Sequence, residues 1–283
     1  MTPLKRLPTP PRPHTCLLVR PPRPHNPRLS NAMGLPPELL DEIIGYIPLR
    51  DEKSFRSCSL VAKWWIHPSQ RRLFEAVRIW GSKELKLWLG TISPTNVGVL
   101  QLVRSLTYTI ANTSDSPHES VDPLCDYLPS FHQLRSLAFF TVPLPSLTQI
   151  GAYNAFQHIL SYLSLTRCTV TASGVVALVN YFPNLAHLDL YDLYQSAHGP
   201  LAHSFSRPLR TLSIAEFYTD DGLDFIDRLM SLHPRCDEVT VCTFYESCPS
   251  LAQRVIDGVE GSVKRLKIKC DPICVSNVSK SLW

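Results

Sequence analysis

The apolar residues of this chain follow two different periods. Between residues 35 and 80 they recur at the three- and four-residue spacing of helices. From about residue 103 onward, the pattern Leu-x-x-Leu-x-Leu returns repeatedly. The first spacing predicts short amphipathic helices, and the second predicts short strands whose alternate side chains enter one core. The sequence therefore predicts a mixed α/β protein in which a helical unit precedes a repeated strand unit.

Four short helices are predicted in the first region. A Pro-Pro pair favours the start of the first helix, because proline needs no hydrogen-bond donor at that position. Asp51 can cap a second helix, Ser57 or Ser59 can cap a third, and Pro68 can begin a fourth. Trp64 and its tryptophan neighbour cannot face the same core, so one of them is a candidate anchor for a partner protein.

The order LPPELLDEII, SCSLVAKWW and RRLFEAVRI resembles the F-box, in particular the F-box of fungal proteins, over residues 34–80. This resemblance implies that the helices dock onto a Skp-type adaptor, which carries the protein into a cullin–RING (SCF) ubiquitin ligase. Ala62 departs from the pattern, since many members have cysteine there. The resemblance assigns the adaptor interface to Leu35, Pro36, Pro37, Leu39, Leu40, Ile43, Ile44, Leu60, Val61 and Trp64. Some of these residues would contact the adaptor and others would support the contact helices.

The second period resembles leucine-rich repeats over about residues 75–270. Its central apolar positions are spaced by 24 to 31 residues, and Val77 in FEAVRI is a plausible earlier member. These positions are Leu106, Leu137, Leu163, Leu188, Leu212, Val239 and Leu266. A single unit cannot bury its apolar face, whereas strands stacked in parallel form a continuous core.

The resemblance implies a curved solenoid, with parallel strands on the concave face and helices on the convex face. Apolar spacing predicts return helices in residues 82–92, 173–182 and 220–232. The long insert from Ala111 to Ser130 is predicted to be a surface loop. At the other end, either Val275–Trp283 folds over the last repeat or the sequence stops early.

Residues 1–33 differ in composition from the rest of the chain. They contain nine prolines and six basic residues with no acid, which predicts a disordered Pro/Arg-rich tail. The tail contributes +6 to a total charge of +4, so the remainder carries about −2 and nucleic-acid binding is not expected. An alternative is that translation starts at Met33. The predicted units are thus the tail (1–33), the F-box (34–80) and the repeats (81–283).

The sequence contains no motif that predicts catalysis. There is no G-x-S-x-G, phosphate-binding loop or H-E-x-x-H, so we expect neither an enzyme nor a bound cofactor or metal. The nine cysteines include no C-x-x-C pair and indicate reduced, buried side chains in a cytoplasmic or nuclear protein. No apolar run reaches 18 residues, so no membrane span is expected.

Protein binding is the function that the pattern favours. The variable positions of the repeats offer candidate target-binding residues, namely Tyr162, His187, Tyr191, Arg210, Lys264, Lys267 and Lys269. The basic strand VKRLKIK either prefers an acidic or phosphorylated segment or uses its lysines to protect a sheet edge. The sequence thus favours a substrate-recognition subunit of an SCF ligase with an unidentified protein target. The alternative is a non-enzymatic repeat scaffold whose F-box-like helices only cap the repeats.

Overall fold

The computed structural model describes residues 35–49, 51–92, 97–110, 122–142, 150–195, 204–217, 219–243, 249–259 and 263–270. Within these ranges the chain forms nine α-helices and a parallel sheet of eight strands, so the mixed α/β class is confirmed. None of the described helices is long and apolar enough to cross a membrane. The predictions for the tail, for Met33 and for Val275–Trp283 lie outside the described residues.

The first region folds into three helices rather than the four predicted. Helix α1 spans Pro37–Gly45, α2 spans Glu52–Val61 and α3 spans Lys63–Glu75. Asp51 caps α2 as predicted, because its Oδ1 accepts a 3.1 Å hydrogen bond from the Ser54 amide.

The predicted starts of the third and fourth helices were wrong, because a single helix, α3, occupies this part of the chain. Ser59 does not cap a helix, since its hydroxyl donates to the Arg56 carbonyl (2.7 Å) inside α2. The break falls instead at Ala62, whose extended backbone (φ −160°, ψ 162°) separates α2 from α3. Pro68 lies inside α3 and cannot donate the hydrogen bond of a helix interior. It is buried, and its packing offsets the lost bond, so the helix continues through it.

The sheet contains one strand from each predicted repeat and the earlier strand predicted around Val77. Its spatial order is β1, β2, β3, β4, β6, β8, β9, β10, and every neighbouring pair is parallel. The strands are β1 (Ala76–Trp80), β2 (Ser105–Thr109), β3 (Ser136–Phe140), β4 (Tyr162–Thr166), β6 (His187–Tyr191), β8 (Leu209–Ala215), β9 (Cys236–Thr243) and β10 (Arg265–Cys270). The short strands β5 (Thr169–Val170) and β7 (Tyr194–Gln195) form a separate parallel pair.

The strand register matches the alignment of the central apolar positions. Val77 pairs with Leu106, and the same row continues through Leu137, Leu163, Leu188, Leu212, Val239 and Leu266. All of these except Leu266 are buried, because alternate side chains of each strand point into the core between the sheet and the helices. Leu266 is 41% exposed, since β10 is the last strand of the sheet.

The segments between the strands are only partly the return helices predicted. Three of them match, as α4 (Gly81–Ile92), α7 (Ala172–Tyr181) and α8 (Asp220–Met230). The other helices are α5 (Val97–Leu100), α6 (Asp122–Tyr127) and α9 (Pro249–Gly258), and 3-10 turns occur at Leu128–Ser130 and Ile150–Phe156. Where residues are described between β3 and β4, the chain thus makes a 3-10 turn instead of an α-helix.

The prediction of a surface loop from Ala111 to Ser130 was wrong for the part that is described. Residues 111–121 lie outside the described ranges, but α6 and the following 3-10 turn occupy residues 122–130. Leu124 and Leu128 are fully buried in the main core. Their spacing of four residues puts them on one helical face, which explains why this part of the insert packs against the sheet.

The helical unit is joined to the sheet through its last helix. Helix α3 runs directly into β1, whose Val77 belongs to the main core as predicted. Arg72 donates to Glu75 (2.8 Å), and its other nitrogen reaches the Gly45 carbonyl at the end of α1 (3.4 Å). Glu75 also lies 3.8 Å from Arg104 at the entry to β2. These contacts fix the end of the helical unit against the first two strands.

Gly258, the last residue of α9, allows two helices to pack closely. A Cβ atom at this position would lie 2.2 Å from Met230 Cβ and 3.0 Å from the backbone of α8. We expect Gly258→Ala to lower the free energy of unfolding by about 1–3 kcal/mol, because the helices must separate. Gly90→Ala in α4 is the matched control, since a Cβ there meets nothing within 4 Å. It should raise stability by about 0.5–1 kcal/mol in the same denaturant titration. Equal effects of the two substitutions would contradict the close packing.

Candidate functional site

The helical unit exposes large apolar side chains around the break between α2 and α3. Leu60 is 86% exposed, Val61 63% and Trp64 65%. Trp65, the neighbour of Trp64, is only half-buried, so Trp64 is the tryptophan that points outward. All three lie within five positions of the chain, on either side of Ala62. Side chains of this size are rarely left in water in such a group unless they contact a partner.

A second exposed apolar row lies on α1. Leu39 is 43% exposed and Ile43 is 42% exposed, and their spacing of four residues places them on the same face of the helix. Leu40 and Ile44, one position further along, are buried and hold α1 against the rest of the unit. Of the residues assigned by the F-box resemblance, these two therefore support the surface and do not form it. The exposed ones are Leu35, Pro36, Pro37, Leu39, Ile43, Leu60, Val61 and Trp64.

A pocket of about 290 Å³ lies between α1 and α3 at this surface. Leu35, Pro37 and Leu40 line it from the α1 side, and Trp64 lines it from α3. Asp41 and His67 add polar groups to an otherwise apolar wall. The pocket thus brings together residues that are 29 positions apart in the chain, and its size suits one large side chain of a partner. We call the exposed residues of α1, α2 and α3 named above the apolar surface of the helical unit.

The sheet carries polar and aromatic side chains on the face opposite the apolar core, which we call the polar face. Tyr162, His187 and Tyr191 lie there, because they alternate with the buried leucines of β4 and β6. The Tyr162 hydroxyl donates to Asp189 Oδ2, and His187 Nδ1 lies 2.7 Å from the Thr211 hydroxyl. The ring centroids of Tyr162 and His187 are 6.4 Å apart. Two of the predicted target-binding residues, Tyr162 and His187, are therefore neighbours, whereas Tyr191 lies at the other end of β6.

The surroundings of Asp189 disfavour its ionised form. Burial raises the pKa of Asp189 above its ordinary value, although the hydrogen bond from Tyr162 and the nearby His187 act in the opposite direction. Burial also raises the pKa of Tyr162, with a further contribution from the Asp189 charge. The Tyr162 hydroxyl therefore stays protonated at neutral pH and remains a donor to the carboxylate.

The basic residues of the last strand are largely paired with acids of the strand before it. Lys264 lies 2.8 Å from Asp237, whereas Arg265 (3.1 Å) and Lys267 both contact Glu238. The hydrogen bond from Lys267 lowers the pKa of Glu238. Among the described residues, Lys269 has no ion-pair partner. The sequence suggested a strongly basic end to the binding face, but these pairs neutralise much of its charge.

The structure does not bring all of the predicted target-binding residues together. Two strands, β8 and β9, separate the Tyr162–Tyr191 group from Lys267 and Lys269 on β10, although all share the polar face. Arg210 is exposed at the start of β8. By strand alternation it lies on the same side of β8 as the buried Leu212, and therefore not on the polar face with Thr211. Thr211 was not among the predicted residues. The register of β6 and β8, which places Thr211 beside His187, is the signal that could have identified it.

Two of the buried cysteines among the described residues are protonated thiols. Burial raises the pKa of the Cys168 thiol to about 12 and that of Cys236 to about 11, so both sulfurs are protonated at neutral pH. In the part of the chain that the structure describes, Cys58, Cys125, Cys168, Cys236 and Cys242 form no disulfide. Within the described ranges, no group of three or more metal-ligating side chains is found.

Comparisons with known proteins do not assign the chain to a family. No family model matches the sequence. No curated protein matches it at a significant level. The functional proposals below therefore depend on the residues and geometry described above, together with the sequence resemblances.

Proposed function

We propose that the apolar surface of the helical unit is an F-box that binds a Skp-type adaptor. The observation that carries the proposal is the exposure of Leu60, Val61 and Trp64 together with that of Leu39 and Ile43. These residues occupy positions that the F-box resemblance assigns to the adaptor interface. An exposed aromatic residue beside an apolar pocket has the composition of an interface hot spot.

We propose further that the sheet and its helices form a curved leucine-rich-repeat solenoid, with the polar face concave. This proposal is supported by a backbone turn that recurs at the end of successive strands. The residue after the strand has a left-handed backbone in Thr141 (φ 56°), Arg167 (φ 52°), Asp192 (φ 47°) and Glu216 (φ 61°). The amides of the first three donate to the last residue of the next strand, at 2.8–3.0 Å. Identical turns at identical positions are what a stack of equivalent repeats requires.

Together these two units would act as a substrate-recognition subunit of a cullin–RING ubiquitin ligase. The helical unit would hold the adaptor, and the polar face of the repeats would hold a target protein. The chain itself would perform no bond chemistry. It would raise the effective concentration of the target's lysines near the ubiquitin-charged enzyme, and a tethered reaction of this kind gains rate without new catalytic groups.

A scaffold whose helices only cap the repeats is the second candidate, and a specific observation favours it. Helix α3 continues into β1, and Glu75 links Arg72 to Arg104, so the helical unit is built into the end of the sheet. A cap, however, needs apolar residues toward the repeats. It gives no reason for Leu60 and Trp64 to be exposed to solvent.

Co-purification separates the two candidates. The full chain and a Skp-type adaptor are expressed together, and a tag on the adaptor is used for capture. We expect the wild-type chain to be retained and the Leu39→Asp variant to be lost, because a charge on the contact face cannot be desolvated cheaply. If the wild-type chain is not retained under conditions where another F-box protein is, the scaffold function replaces the ligase function.

A further inference from the structure

The acidic residues near the middle and the end of the sheet differ in whether they form an ion pair with a lysine or arginine. Asp192 pairs with Arg167 (3.0 Å), Asp237 with Lys264, and Glu238 with Arg265 and Lys267. Asp189 lies between them on the polar face, yet no lysine or arginine within the described ranges forms an ion pair with it. Asp189 shares this lack of an ion pair within the described ranges with Glu216 after β8, but Asp189 is the one of the two that lies inside a strand.

The residues beside this carboxylate on the neighbouring strands are small. In the register of the sheet, the neighbours of Asp189 on the polar face are Ser164 of β4 and Ser213 of β8. Both side chains are small, whereas Tyr162, His187 and Tyr191 stand in the adjacent rows on the same face. A carboxylate in a row of small residues between aromatic rings suits the stem and the head of a cationic side chain.

The hydrogen bond from Tyr162 orients Asp189 without neutralising it. The hydroxyl is donated to Oδ2, so Asp189 keeps acceptor capacity on its other oxygen. Burial at the same time disfavours the ionised carboxylate. Asp189 therefore costs stability at neutral pH, and residues that cost stability in this way are characteristic of binding sites.

We propose that Asp189 and its aromatic neighbours form a subsite for a lysine or arginine side chain, so that the target of the polar face is a basic segment. This inference rests on the proposed function of that face in target recognition and adds the chemical class of the target. The cation would form a charge-assisted hydrogen bond with Asp189 and would contact the faces of Tyr162 and Tyr191. The acidic or phosphorylated target suggested by the basic last strand is the competing class.

The probe for this subsite is a fluorescein-labelled peptide of eight lysines, titrated with the full chain at low ionic strength. A peptide of eight glutamates tests the competing class. We expect the lysine peptide to bind and Asp189→Asn to weaken its affinity about tenfold, the usual effect of losing one charged hydrogen bond. Asp257→Asn is the matched control, because this exposed aspartate lies in α9, outside the sheet, and accepts a hydrogen bond from Gln253 (2.6 Å). The Asp257→Asn variant should bind the lysine peptide with the same affinity as the wild type.

Four results of the binding experiments would overturn the proposal. They are no binding of the lysine peptide, equal affinity of wild type and Asp189→Asn, equal weakening by Asp189→Asn and Asp257→Asn, and preferential binding of the glutamate peptide. Denaturant unfolding at pH 7 provides a further readout. Because the variant removes a charge that burial disfavours, Asp189→Asn should be at least as stable as the wild type. A marked loss of stability would assign Asp189 a structural role and would also overturn the proposal.

The adaptor proposal is tested independently in the same preparations. Leu60→Asp should lose the adaptor and keep the affinity for the lysine peptide, because Leu60 lies in the helical unit and Asp189 lies in β6. A chain that binds the adaptor but not the lysine peptide would refute the subsite alone. A chain that binds the peptide but not the adaptor would refute the ligase function and leave the subsite standing.

Discussion

Trp64→Ala should lower the affinity for a Skp-type adaptor about 30-fold or more, and Leu60→Asp should abolish binding. Trp64 is 65% exposed and lines the 290 Å³ pocket, so its ring would be the largest single contribution to the buried interface. Truncation of a tryptophan at an interface hot spot costs about 2 kcal/mol or more. Leu60 is 86% exposed, and an aspartate in its place would carry an unpaired charge into the contact. Affinities are measured by surface plasmon resonance with immobilised adaptor.

Two matched variants serve as controls for this series. Trp80→Ala removes a tryptophan that is 44% exposed at the end of β1, outside the apolar surface of the helical unit. Leu87→Asp places the same charge on α4, where Leu87 is 72% exposed. Both should bind the adaptor like the wild type. A general loss of affinity in all four variants would mean that the exposed apolar residues act through solubility and not through one interface.

Leu188→Ala is expected to lower the free energy of unfolding by about 3 kcal/mol. Leu188 is fully buried in the middle of the row that runs through all eight strands, between Leu163 and Leu212. The substitution leaves a cavity that strands on both sides cannot close, and such losses range over about 2–5 kcal/mol. Denaturant unfolding followed by far-ultraviolet circular dichroism gives the value.

Leu266→Ala is the control at the same register position. Leu266 occupies the equivalent place in β10 but is 41% exposed, because β10 is the last strand of the sheet. Its loss should therefore cost about 1 kcal/mol or less. Equal losses at the two positions would contradict the register, since the chemical change is identical and only the burial differs.

The sheet could be predicted from sequence because its signal is both local and repeated. Each strand has a Leu-x-Leu alternation, and the row from Val77 to Leu266 could be aligned by spacing alone. The helix boundaries were harder to predict from the sequence. Pro68 usually begins or ends a helix, but in this chain its burial against the rest of the unit outweighs the missing hydrogen bond. Tertiary packing of this kind leaves no mark in the local sequence.

The candidate sites were predictable to different degrees. The exposure of Leu60 and Trp64 followed from an excess of apolar residues in a small helical unit. The partners of the polar face did not, because they depend on pairs between strands. The bond of Tyr162 to Asp189 joins residues 27 positions apart, and that of His187 to Thr211 joins residues 24 apart. Likewise, the ion pair of Lys267 with Glu238 depends on the pairing of β9 with β10, which the local sequence does not specify.

The most direct test of the central claim is a calorimetric titration of the full chain with a purified Skp-type adaptor. We predict a complex of one chain with one adaptor, a dissociation constant of about 1 µM or tighter, and a negative heat-capacity change from burial of the apolar surface. The Trp64→Ala variant should lose most of this signal. Absence of binding by the wild-type chain, with an established F-box protein binding the same adaptor sample, would contradict the account.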